Sequence, residues 1–96
     1  MVEKQEIDAV IPGYELLNKG LHDLRASQLT EEALLVLVGQ RNLSAVGLNI
    51  PIIDLDGLPE HKLYQLLSVR LGNGAHSAYN ALIGRLCSAE RILRVK

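Results

Sequence analysis

Three segments of the chain repeat one spacing, Tyr-x-x-Leu-x-x-x-Leu: Tyr14, Leu17, Leu21, then Tyr64, Leu67, Leu71, then Tyr79, Leu82, Leu86. At about 100° per residue these offsets fall in one narrow stripe, so each segment predicts a helix with an apolar face that needs cover. The triplets are not units of a solenoid. Their starts lie 50 and 15 residues apart, where stacked repeats keep one period.

The first helix is predicted over residues 12–26, because Pro12 suits a first turn whose amides have no intrahelical partner. Leu24 and Leu16 extend its seam, and Gly20 inside it predicts close approach of another backbone or tolerated slack. Thr30 followed by Glu31 and Glu32 marks a second helix start, with a capping hydroxyl and negative charge at the dipole's positive end. The six residues from Ala33 to Val38 are all apolar, as in a helix covered on every side. Gly39 or Asn42 ends that helix, and a short turn is expected between Leu43 and Leu48.

Residues 48–57 do not read as helix. Pro51 predicts an extended connector, or an edge strand, laying Ile50, Ile52 and Ile53 over the helices. Asp56-Gly57 is a turn, and Pro59 starts a third long helix over residues 59–71. Gly72-Asn73-Gly74 stops it, and a last helix over residues 75–93 carries a seam of Ala75, Tyr79, Leu82, Leu86, Ala89 and Leu93. A three-residue link predicts an antiparallel αα-hairpin. The expected fold is a single all-α domain over 1–96, a bundle of four to five helices with a proline-containing connector and a frayed, acidic segment at 1–10.

Composition adjusts this picture in three ways. With 48% hydrophobic residues but no Phe or Trp, the core must be Leu, Ile, Val and Ala, with Tyr as the only large anchor. A single cysteine, Cys87, excludes an internal disulfide and suits a reducing, cytoplasmic setting. No apolar run approaches the roughly 20 residues of a membrane-spanning helix, and Met1 to Val10 lacks the features of a signal peptide, so a soluble protein is expected.

Charge is unevenly placed. Residues 1–60 carry ten acids against four bases, a net of -6, while residues 61–96 carry six bases against Glu90, a net of +5. Oppositely charged parts favour contact within one fold, between copies head to tail, or with an acidic partner.

Candidate chemistry is sparse. Asp54-x-Asp56-Gly57 has the start of a calcium loop but puts Leu58 and Gln65 where ligands are needed. His22, His61 and His76 show no zinc spacing. On one helix, His76 and Cys87 would stand about 16 Å apart, too far for a nucleophile and its base, and Cys87 beside a Leu seam reads as a small buried hydrophobe. The Gly72–Gly74 turn, with Arg70 and His76 near, lacks the lysine and preceding strand of a phosphate loop. No catalytic, cofactor-binding or metal-binding residue is assigned.

Two surfaces remain. Arg85, Arg91, Arg94 and Lys96 form a basic C-terminal helix able to meet nucleic acid, although such cations also complement a helix end and Glu90 can pair with Arg94. Beside the seam of Tyr79, Leu82 and Leu86 runs a strip of small residues, Ser77, Ala81, Gly84 and Ser88, expected on an adjacent face and open to close helix approach. The sequence therefore predicts a non-catalytic protein-interaction module, self-associating as a homodimer through its last helix or binding another protein. Nucleic-acid binding is the alternative, and no membrane is expected as a partner.

Overall fold

A computed structural model describes residues 7 and 9–95. Among these residues five α-helices stand in order: α1 (Tyr14–Arg25), α2 (Glu31–Val38), α3 (Gln40–Ala45), α4 (Pro59–Leu71) and α5 (Ala75–Val95), the last two joined by a 3-10 turn at Gly72–Gly74. No strand occurs among the described residues, and none of their helices is long and apolar enough to cross a membrane. The fold is all-α, organised around its most buried element.

That element is α2, in which Ala33 through Leu37 are buried without a break. A helix apolar on all sides needs neighbours on all sides. Helix α1 covers one side and α4 another, and α5 reaches it more sparingly. The covering residues are Leu17, Leu21 and Leu24 of α1, Leu63 and Leu67 of α4, and Leu86 and Ala89 of α5. As composition requires, the buried core is aliphatic. The tyrosines take its rim, Tyr14 and Tyr79 packing partly against it and Tyr64 standing 39% exposed.

Gly20 brings α1 and α2 together. A Cβ built there would stand 2.3 Å from the Glu32 carbonyl oxygen and 2.5 Å from Val36 Cγ2, distances no side-chain carbon tolerates. The glycine marks backbone approach, the first of the two explanations its position allows. Next to this contact, Thr30 caps α2: its Oγ1 accepts from the Ala33 amide at 3.1 Å and donates to Asp23 Oδ2 at 2.6 Å. Lys19 Nζ also donates to that carboxylate, at 2.7 Å. The buried Asp23 thus ties the end of α1 to the start of α2, and bonds from Lys19 and then Thr30 hold its carboxyl below the ordinary range.

Several boundaries move from the expected places, each for a local reason. Helix α1 starts at Tyr14 rather than at Pro12, because Gly13 takes φ 78°, a left-handed conformation outside a right-handed helix. Its far end closes with amides of Ser27 and Gln28 donating to Leu24 and Asp23 carbonyls, the Schellman pattern, with Ser27 at φ 59° where glycine is usual. Gly39 breaks the chain for one residue only, and α3 begins at Gln40, ahead of the turn expected after Asn42. In α4 the buried positions are Leu63 and Leu67, so the Tyr64, Leu67, Leu71 stripe is rotated off the core and Leu71 is exposed. In the connector, Ile50 is buried and Ile53 and Leu55 pack on the core, whereas Ile52 is 94% exposed. Ile53 and Leu55 are two apart on extended chain and share a side; Ile52 takes the other.

Ile7 departs from a frayed start. It is buried, and Asn18 clamps its backbone, Oδ1 accepting from the Ile7 amide at 2.7 Å and Nδ2 donating to its carbonyl at 2.9 Å. The rest of the expectation for 1–6 and 8 lies outside the described residues.

Two predictions follow from these contacts. Gly20→Ala lowers stability by roughly 1–3 kcal/mol because the helices must separate, while Gly84→Ala, with nothing within 4 Å of the added carbon, raises it by up to about 1 kcal/mol. Urea midpoints at one protein concentration read both signs. The second concerns pH: the folded Asp23 carboxyl binds its proton less readily than the unfolded one, whose ordinary value is 3.8. Its contribution is complete well above that value and lost as pH falls through the lower folded one. Asp23→Asn therefore flattens the acid limb of stability against pH, and an unchanged limb would contradict the network.

Candidate interaction surface

Helix α5 is 21 residues long and shows two unlike faces. On the inner side Leu86 is covered by its own chain, and Tyr79 and Leu82 are half-buried against the core. Leu86, expected at an interface, thus serves the core. On the outer side Ser77, Ala81, Gly84 and Ser88 are all exposed. Gly84 follows Leu82, and Ser88 follows Leu86, by two residues or about 200° of rotation, so the strip lies nearly opposite the seam rather than beside it. Among the described residues nothing lies within 4 Å of a Cβ built at Gly84.

The basic residues of α5 do not converge. Arg85, Arg91 and Arg94 are exposed and have no ion-pair partner among the described residues, and Lys96 lies outside them. From Arg85, Arg91 is turned by about 120° and Arg94 by about 180° around the axis. Such a spread does not favour one phosphate track. Glu90 forms no pair with Arg94 either; its Oε2 lies toward Gly39.

Other candidate chemistry is dispersed as well. His22, His61 and His76 are exposed, and no cluster of three or more His, Cys, Asp or Glu able to hold a metal occurs among the described residues. Cys87 is exposed, against the buried place expected of it, because it sits away from the inward seam of α5. Residues Gly72–Gly74 do serve as the link between α4 and α5.

The built feature is one that periodicity does not reveal. An open groove runs between α4 and the turn that enters α2, with Leu29 and Leu66 at its middle. One end is formed by Lys62 and Gln65 above the buried Leu34, and the other by Glu31, Glu32 and Arg70. Arg70 grips Glu31 with two bonds, Nε donating to Oε2 at 2.7 Å and Nη2 to Oε1 at 2.8 Å. These bonds raise the guanidinium's already high pKa. Val69, three residues beyond Leu66, is 88% exposed on the same helix. On its other flank α4 sets Tyr64 edge-on against Tyr79 of α5, centroids 5.7 Å apart, and burial, then the nearby Glu60, push the Tyr79 phenol up. The groove thus offers apolar contact between fixed charges, with neither His nor Cys in its walls.

No family model, curated protein or solved structure significantly matches the chain.

The exposed place of Cys87 is directly testable. It should react fully with a thiol reagent in the native protein, at a rate that denaturant changes by less than about tenfold. Reaction only after unfolding would contradict its placement.

Proposed function

We propose that this chain is a small non-catalytic interaction module that self-associates as a homodimer through amphipathic helices. Its helices then form a small bundle, α4 and α5 acting as an αα-hairpin that presents the contact surface. The observation that carries this reading is the apolar side of α4: Val69 in solvent, with Leu66 38% and Leu29 44% exposed beside it. Covering such side chains gains roughly 25 cal/mol per Å² of apolar area removed from water. Apolar side chains gathered along a groove with polar rims are the usual mark of a protein-binding surface. The expected α5 contact is less supported, because its Leu seam serves the core and its outer strip lacks bulk.

Light scattering on the full chain at about 100 µM, where a dimer with a dissociation constant at or below about that concentration is substantially populated, tests the reading. The expected mass is twice the 10.5 kDa of one chain, falling on dilution. A single-chain mass at every concentration would overturn it.

A further inference from the structure

We infer that two copies of this chain pair across a two-fold axis passing near Leu66, each laying α4 and the Leu29 turn on the same surface of the other. The inference rests on the self-association reading and adds its site, symmetry and register. A closed dimer needs a patch complementary to itself, so that whatever residue i touches also touches it back. An apolar centre flanked by opposite charges at equal distances meets that condition.

The groove has this layout. Lys62, Leu66 and Arg70 recur every four residues on α4, a row about 12 Å long with Leu66 midway. At one end Lys62 has no ion-pair partner among the described residues. At the other, Glu31 and Glu32 line the groove with Arg70, which Glu31 already pairs, so two carboxylates face one cation there, while Lys19, 3.6 Å from Glu32, is held by Asp23 at 2.7 Å. That end keeps one net negative charge. Rotation by 180° about Leu66 carries each Lys62 to the partner's Glu31–Glu32 end, and does so twice. A two-fold axis at either end would instead oppose like charges. Leu66 then meets its own copy, with Leu29 and Val69 closing around it. The outer face of α5 fails the same criterion, since Arg85, Arg91 and Arg94 surround it without an exposed acid among them.

Light scattering and sedimentation on full-length variants test the arrangement, with circular dichroism melts to confirm folding. Val69→Glu replaces a side chain already in solvent, so it should keep the fold and yield monomer, while Ala81→Glu on the outer strip of α5 should leave the dimer intact. Lys62→Glu and Glu32→Lys should each weaken pairing by about tenfold or more, and an equimolar mixture should restore it to within about threefold, because the mixed dimer regains an opposite-charge contact at both ends. A folding defect is not repaired by mixing. A dimer that survives Val69→Glu and dissociates with Ala81→Glu, or a mixture that stays monomeric, overturns this inference and leaves self-association standing. A wild-type monomer overturns both.

Discussion

Everything in this fold is arranged to keep water from an eight-residue helix. Alone, a helix as short as α2 is marginal in water, since isolated helices need about 12–15 residues to persist. Its five consecutive buried residues, Ala33 to Leu37, supply the apolar surface that tertiary neighbours can cover. With no Phe or Trp to fill space, cover comes from close approach instead, and Gly20 is where approach is closest. The Thr30–Asp23–Lys19 network fixes the same corner, satisfying one of the first free amides of α2, that of Ala33, with a side chain held from α1.

A short centre has consequences for the longer helices around it. At 1.5 Å per residue α2 spans about 12 Å, against about 20 Å for α4 and about 31 Å for α5. Neither can be covered along its length by α2. Each of them also keeps an outward side, where Val69, Leu66 and the strip of Ser77, Ala81, Gly84 and Ser88 stand. Those sides are exposed faces of two kinds, an apolar one on α4 between charges and a small-residue one on α5 beside arginines. The apolar kind offers free energy on burial, which is why the functional proposal rests there.

Much of this was legible in the residues. Thr30 with two glutamates announced α2, Gly72-Asn73-Gly74 announced the turn before α5, and Gly20 pointed to a close backbone or to slack, of which the first holds. Less legible were features made by residues distant along the chain. Asn18 grips the backbone of Ile7, and nothing in an amphipathic stripe distinguishes a clamping Asn from a solvated one. The groove joins residues 29–32 to 62–70, and Arg70 finds Glu31 across 39 positions, a pairing that no local spacing encodes. Where the sequence reading erred, rotation was the usual cause. The α4 stripe of Tyr64, Leu67 and Leu71 shares only Leu67 with the buried pair Leu63 and Leu67, and the α5 strip nearly opposes the seam it is expected beside, because several Leu and Ala positions fit overlapping stripes until a neighbour selects one.

With the most continuous cover, α2 should be the last element to lose it. Native-state amide exchange reads this residue by residue, since amides in the most protected unit exchange only through global unfolding. The amides from Leu35 to Val38 should match the slowest in the chain and share the denaturant dependence of global unfolding. Exchange of these amides ahead of those in α5, through a local opening insensitive to denaturant, would contradict this.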